Sequence, residues 1–103
     1  MSIGEAEKTY KVFGKKMSYV YILRSEKDKK YYIDSTDDLE RRLEEHNRGQ
    51  TKSTKFRKPF FLVFCQEFNN IRTAKKVEAK IKSFKNRHII DRIIKDKIIR
   101  LRS

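Results

Sequence analysis

The stretch that decides the fold runs from residue 18 to residue 48 and reads SYVYILRSEKDKKYYIDSTDDLERRLEEHNR. It opens with a continuous apolar run at Tyr19–Leu23, which is typical of a strand buried on both faces. A polar turn follows at residues 24–30, and β-forming residues resume at Tyr31–Ile33. Two such runs around a polar turn predict an antiparallel hairpin.

A helix is expected directly after this hairpin. Three residues that commonly cap helices follow the second strand: Ser35, Thr36 and Asp37. Asp37 and Glu40 have capping-box spacing, so the helix is predicted to begin here. Glycine favours a helix C-terminus, so the helix is predicted to run to about Arg48 and to stop at Gly49.

The second half of the chain begins with a predicted loop at residues 50–59, which are polar and basic and close on Pro59. A second apolar run, Phe60–Cys65, is expected to be a buried strand that extends to about Phe68.

Two helices are predicted after this strand. Asn69 and Asn70 indicate a turn, and Thr73 is the expected cap of a helix that continues to about Phe84. The last helix is predicted over residues 87–100, where isoleucines recur in pairs at helical spacing.

The predicted order is therefore β-β-α-β-α-α, an α/β (α+β) fold with a small three-stranded antiparallel sheet flanked by helices on both faces. The 103 residues suit one small domain. Residues 1–16 show no sustained periodicity and are expected to be a flexible lead-in. Residues 17–103 are expected to form the domain, with a basic helix at its end.

The charge of the chain indicates a polyanionic partner. The 27 Lys and Arg residues outnumber the 14 Asp and Glu residues, which gives a net charge of +13. Such an excess attracts polyanions, of which nucleic acid is the commonest inside cells. Seven cations at the hairpin, the first helix and the following loop are the candidate phosphate contacts: Lys30, Arg41, Arg48, Lys52, Lys55, Arg57 and Lys58.

Other features of the sequence favour a cytoplasmic protein. No apolar run approaches the roughly 20 residues of a membrane-spanning helix, and no signal peptide is apparent. The single cysteine, Cys65, excludes an internal disulfide and a cysteine-built zinc site, and is expected to be a buried apolar side chain.

Two residues of the first predicted helix could carry chemistry. Leu39, Leu43 and His46 lie on one face, and Arg42 lies beside them. Arg42 and His46 should therefore border the face that meets the sheet, with Glu45 pointing elsewhere. The alternative is that Arg42 only covers apolar surface with its stem and that His46 is structural.

On the next helix, Glu78 falls within the apolar stripe. A carboxylate on a buried face needs a positive partner, which could be a metal ion or a nearby Lys or Arg. The tyrosines Tyr21 and Tyr32 in the hairpin are open to a similar choice, because aromatic residues in strands usually pack the core.

Four motifs in this order resemble the GIY-YIG nuclease superfamily, and in particular its small single-domain members. The first motif is Tyr19-Val20-Tyr21 and the second is Tyr32-Ile33-Asp34. The helix signature reads DLERRLEEHN over residues 38–47, and the glutamate motif reads AKKVEAKIK over residues 74–82. The resemblance covers roughly residues 18–84.

The resemblance implies metal-dependent cleavage of nucleic acid, with DNA as the expected substrate. It implies that Tyr21 helps to activate the attacking water, that Tyr32 supports the site, and that Arg42 binds phosphate. His46 matches a histidine found in some members, and Glu78 matches the carboxylate that holds one divalent cation. Mg²⁺ or Mn²⁺ suits a site with a single carboxylate, because Mg²⁺ keeps several waters.

The chain departs from the family pattern at two glycines, replaced by Tyr19 and Asp34. Asp34 is the weightier change, because it puts a negative charge where a phosphate should approach. Asp34 could weaken binding, join the metal site, or mark a chain that binds nucleic acid without cutting it.

Besides a nuclease and a protein that binds nucleic acid without cutting it, a third hypothesis is a basic protein that binds a protein partner through its isoleucine-rich last helix. The oligomeric state is left open, with a monomer favoured.

Overall fold

A computed structural model describes residues 17–49, 56 and 58–99 of the chain. It contains six elements, in the order β1 (Ser18–Ser25), β2 (Tyr31–Thr36), α1 (Leu39–Asn47), β3 (Phe60–Phe68), α2 (Ile71–Phe84) and α3 (Arg87–Asp96). The predicted order and the α+β class are therefore confirmed. The predicted lead-in at residues 1–16 and the loop cations Lys52, Lys55 and Arg57 lie outside the described residues.

The sheet has the order β2-β1-β3, and β1 pairs antiparallel with both neighbours. In the hairpin register Tyr21 lies opposite Asp34 and Leu23 lies opposite Tyr32. This register places both motif tyrosines and Asp34 on one face of the sheet, since residues two apart in a strand share a face.

The central strand β1 is buried on both faces, as predicted. Val20 and Ile22 belong to a core with Ala74 and Ile81 of α2 and Ile93 of α3. On the opposite face, Tyr21, Leu23 and Phe60 pack with Leu39 and Leu43 of α1. α2 and α3 therefore cover one face of the sheet, and α1 covers the other. The motif tyrosines lie on the face that α1 covers.

The prediction that β3 is a fully buried strand is wrong. Phe60 and Phe64 are buried, but Phe61 is 55% exposed and Leu62 is 40% exposed. The strand lies at an edge of the sheet, where Leu62 pairs with Leu23 on the face of the nine-residue α1 and Phe61 pairs with Arg24 on the opposite face. The last residue of α1, Asn47, hydrogen-bonds the backbone N–H and C=O of Phe60, so α1 is joined to the start of β3.

The expected burial of Cys65 is wrong for the same reason. Cys65 is exposed, because it lies on the edge strand beyond the end that α1 contacts.

The helix boundaries also differ from the sequence prediction. Asp38, one residue later than predicted, caps α1 by accepting a hydrogen bond from the Arg41 backbone N–H. Ser35 and Thr36 are part of β2, where they pair with β1, and the Thr36 hydroxyl accepts a hydrogen bond from the Asp38 N–H, one step before the helix.

The helix α2 starts earlier than predicted, and α3 ends earlier than predicted. Asn70 caps α2 in place of Thr73, because its side chain accepts a hydrogen bond from the Thr73 N–H. α3 ends at Asp96, where Lys97 adopts a left-handed conformation with φ 60°. Ile99 lies beyond the helix, is buried in the core, and donates its backbone N–H to Gln66.

The isoleucines of α3 pack on the core of this chain. Ile93 is buried, and Ile89, Ile90 and Ile94 pack against the same cluster. The apolar face of α3 is therefore used internally, which removes the motive for a protein-binding function of this helix. None of the helices in the described residues is long and apolar enough to cross a membrane.

Candidate active site

Tyr21 lies at the centre of the candidate site. Its side chain comes from the middle of β1 and is fully buried. The phenol oxygen lies 3.0 Å from Asp34 Oδ2, to which it donates, and 3.0 Å from His46 Nε2. Because Tyr21 has one hydroxyl proton, a donor bond to Asp34 requires that His46 Nε2–H donate to Tyr21. The three side chains form one hydrogen-bonded row from α1 to β2.

His46 is fully buried between the two motif tyrosines. The centroid of its ring lies 4.9 Å from that of Tyr32 and 6.1 Å from that of Phe60, in edge-on and tilted arrangements. Burial, followed by the positive charge of Arg42, lowers the pKa of His46 below its ordinary value. The imidazole is therefore neutral at pH 7, which agrees with its role as a single donor to Tyr21.

Arg42 and Asp34 form an ion pair at the surface end of this row. Arg42 donates from Nε and Nη2 to Asp34 Oδ2, at 3.2 and 3.0 Å. Arg42 also donates from Nη1 to Glu45 at 3.1 Å. The Ser35 backbone N–H donates to the second oxygen of Asp34 at 2.8 Å. Asp34 thus takes hydrogen bonds from Tyr21, Arg42 and its own backbone neighbour.

These contacts fix the protonation states of the two principal donors. Burial raises the pKa of Tyr21 far above that of a free phenol, and the charge of Asp34 raises it further, although Arg42 acts in the opposite direction. Burial alone would lower the pKa of Arg42, but its hydrogen bonds to Asp34 and Glu45 raise the pKa overall. At neutral pH the site therefore holds a neutral phenol beside a guanidinium cation.

Glu78 of α2 has the basic partner that its position on a buried face demands. Its carboxylate forms an ion pair with Lys82 Nζ at 2.7 Å and accepts a hydrogen bond from the Ser35 hydroxyl. The Glu78 side chain is 14% exposed, whereas that of Lys82 is 50% exposed. Of the two compensating partners expected from the sequence, the structure therefore contains the basic side chain.

Ser35 and Lys82 connect Glu78 to the rest of the site. Ser35 follows Asp34 in β2 and binds both carboxylates, one through its N–H and one through its hydroxyl. Although burial lowers the pKa of Lys82, its hydrogen bond to Glu78 and the negative charges of Glu78 and Asp34 raise it overall.

The single carboxylate of Glu78 fits Mg²⁺, because a bound Mg²⁺ usually keeps several of its water ligands. The described residues contain no group of three or more His, Cys, Asp or Glu side chains that could hold a metal. Mg²⁺ commonly binds one or two carboxylates together with substrate phosphates, so a larger cluster is not required. A cation held by Glu78 would replace the Lys82 ammonium as the partner of that carboxylate, and the Lys82 side chain is half exposed.

The site residues open onto two adjoining depressions along β2. Asp34, Ser35 and Arg42 line the first, of about 310 Å³. Tyr32 and Lys82 line the second, of about 370 Å³. Tyr21 and His46 are buried behind them, so in this conformation neither meets solvent directly.

The predicted phosphate-binding cations are dispersed around the site. Arg41 lines the first depression and has a 62% exposed side chain, which pairs with Asp38 and Glu45 at 4.0 and 3.9 Å. Lys30 lines the second depression. Arg48 pairs with Glu44 at 3.5 Å, and Lys58 is exposed.

Three residues of the site were missed by sequence reasoning. Glu45, expected to point elsewhere, binds Arg42 from three residues further along α1. Lys82 lies four residues after Glu78, a spacing that favours ion pairs on a helix and could have been used. Ser35 carried no signal beyond its place next to Asp34.

The chain is similar to known proteins. Residues 17–90 match the GIY-YIG catalytic domain. A UPF0213 protein of Staphylococcus saprophyticus is 40% identical over 67 residues, which cover 64% of this chain and 80% of that protein. A UPF0213 protein of Clostridium perfringens is 43% identical over 67 residues, 64% of this chain and 71% of that protein. No solved structure matches the chain.

Proposed function

The chain belongs to the GIY-YIG family of catalytic domains, and from that premise we propose that it is an endonuclease that hydrolyses phosphodiester bonds in DNA with one Mg²⁺ or Mn²⁺ ion. The observation that carries the proposal is a chain of hydrogen bonds that joins the candidate residues. Tyr21 bonds to His46, and both Tyr21 and Arg42 bond to Asp34. Ser35 then links Asp34 to Glu78. We expect it to act in the cytoplasm.

Each of these residues has a task that its surroundings support. Arg42 is the charged donor for a non-bridging phosphate oxygen, because a guanidinium presents several N–H groups in a fixed plane. Tyr21 is a neutral phenol rather than a phenolate base, given its raised pKa, and it would donate to the attacking water once its hydroxyl is released from Asp34. His46 is a positioning residue, since it is buried and holds the Tyr21 hydroxyl. Tyr32 packs on His46 and keeps that ring in place.

Glu78 would hold the divalent cation, with Ser35 orienting its carboxylate. When bound, such a cation stabilises the negative charge that develops on the phosphate during hydrolysis. Arg42 contributes positive charge to the same phosphate from the α1 side of the site.

The test is cleavage of supercoiled plasmid with Mg²⁺ or Mn²⁺. Glu78→Gln keeps the shape of the side chain but removes its charge, and should abolish nicking. Glu44→Gln is the matched control, because Glu44 is exposed on α1 and forms its ion pair with Arg48, away from the site. Equal nicking by the native chain and Glu78→Gln, or none by the native chain, would refute the proposal.

A second candidate function is nucleic-acid binding without cleavage. One observation favours it: Asp34 takes the hydrogen bonds that Tyr21 and Arg42 would otherwise offer to a phosphate and a water. In that case the native chain binds plasmid in the same experiment and leaves it intact.

A further inference from the structure

The second depression, here called the β2 groove, lies outside the catalytic cluster and has a composition of its own. It runs between the edge strand β2, the end of α2 and the start of α3, and has a volume of about 370 Å³. Its floor is apolar, because Ile33 and Ile81 are buried beneath it.

Four cations line this groove: Lys30, Lys82, Lys85 and Arg87. No carboxylate is among its lining residues in the part of the chain that the structure describes. Two acidic side chains adjoin it, and both are engaged: Glu78 with Lys82, and Asp91 with the Tyr31 hydroxyl at 2.7 Å. The groove therefore presents positive charge to whatever enters it.

One wall of the groove is an Arg–Tyr stack. Arg87 Cζ lies 4.5 Å from the centroid of the Tyr31 ring. Arg87 also donates to the Lys29 carbonyl at 3.1 Å, so the guanidinium is held in place from two sides. A guanidinium plane over an aromatic ring is a surface on which nucleobases stack. Cations along an apolar groove with such a surface are the features of single-strand binding sites.

The groove borders the candidate site, because two of its lining residues contact residues of that site. Tyr32 lines the groove and packs on His46, and Lys82 lines the groove and pairs with Glu78. A nucleotide in the groove would therefore be a near neighbour, along its strand, of a phosphate at Glu78 and Arg42.

We propose that the β2 groove binds an unpaired nucleotide of the strand that is cut, so that the substrate is a nucleic acid with a single-stranded segment next to the scissile bond. This inference rests on the proposed function, because it takes the phosphate at Glu78 as its reference point. A base in an uninterrupted duplex would have to leave the stack to reach the groove, which costs free energy, whereas an unpaired base would not.

The test measures binding without cleavage, by fluorescence anisotropy in EDTA. A blunt DNA duplex is compared with the same duplex carrying a short single-stranded overhang at either end of a strand. The native chain should bind one overhang duplex more tightly, by on the order of tenfold, as expected for one stacked base. Equal affinity for blunt and overhang duplexes would overturn the inference.

A pair of double variants tests whether the groove is responsible. Lys30→Ala with Lys85→Asn removes two groove charges, and asparagine suits the left-handed conformation of Lys85, whose φ is 48°. Lys76→Ala with Lys95→Ala removes two exposed charges that do not line the groove. The first pair should lose the preference for the overhang and the second should keep it. Equal loss in both pairs would show that only net charge matters.

The single variant Lys30→Gln, at an exposed position, should lower the same preference and serves if the double variant folds poorly. The outcome is independent of catalysis. If the chain prefers the overhang through the groove but never cuts DNA, the groove inference is supported and the nuclease proposal is refuted. Cutting without any preference would refute the groove alone.

Discussion

Asp34 holds the two donors that a phosphate would otherwise meet. Its Oδ2 accepts from the Tyr21 hydroxyl and from Arg42, and its Oδ1 accepts from the Ser35 N–H. Both oxygens therefore have protein partners, which leaves Asp34 poorly suited to be a second metal ligand. Among the accounts that the sequence left open, the contacts favour weaker nucleic-acid binding, because Asp34 holds Arg42.

Asp34→Gly should therefore raise nucleic-acid affinity and lower stability. Freeing Arg42 is expected to improve binding or cleavage by about tenfold, or ~1.4 kcal/mol. Loss of the charged hydrogen bonds should destabilise the fold by about 1–3 kcal/mol. Anisotropy and urea unfolding measure the two effects, and Asp37→Gly, which removes an exposed carboxylate from the same depression, is the control for net charge. Weaker metal binding and weaker cleavage in Asp34→Gly would favour the ligand account instead.

His46 should make the fold sensitive to mild acid. Its folded pKa is lowered by burial and by Arg42, so the unfolded chain binds a proton more readily. The contribution of His46 to the free energy of unfolding is therefore fully present above the unfolded pKa of about 6.5. It is lost as the pH falls toward the folded pKa, by at most about 1.4 kcal/mol per pH unit. Urea unfolding at several pH values from 8 to 5 measures this decline. His46→Gln should have a flatter profile, and an unchanged slope would contradict the assignment.

At the scale of elements, periodicity and turn residues predicted all six elements in order and the pairing of β1 with β2, but not that β3 would be an exposed edge strand. A continuous apolar run predicts burial on both faces only if both faces are covered, and near the start of β3 Leu62 on the α1 face and Phe61 on the opposite face are both exposed. The contact of Tyr21 with Asp34 depends on the hairpin register, which the polar turn does not encode plainly. By contrast, a basic residue was one of the two partners expected for Glu78, and the i, i+4 spacing could have identified it as Lys82.

The start of α2 offers a direct test of one boundary. Asn70 accepts from the Thr73 N–H, so Asn70→Ala should destabilise the chain by about 0.5–2 kcal/mol. Thr73→Ala should change stability by less than about 0.5 kcal/mol, since Thr73 is exposed and inside the helix. Denaturant midpoints measure both, and a larger loss for Thr73→Ala would restore Thr73 as the cap.

For the whole molecule, the net charge of +13 should dominate binding to nucleic acid. If about five phosphates are neutralised, the logarithm of affinity for duplex DNA should fall with the logarithm of salt concentration with a slope of roughly −4 to −5. Anisotropy titrations from low to moderate salt measure the slope. Affinity that does not change with salt would contradict an electrostatic mode of binding.

The most direct test of the proposed site is the rate of single-turnover DNA cleavage by Arg42→Ala, with Mg²⁺ and protein in excess. Arg72→Ala is the matched control, because it removes the same charge from an exposed position on α2. Thermal unfolding should first show that both variants are folded. Loss of a donor to the transition state predicts a rate lower by about 10²-fold in Arg42→Ala and near the native rate in Arg72→Ala. Equal rates in the two variants would contradict the account.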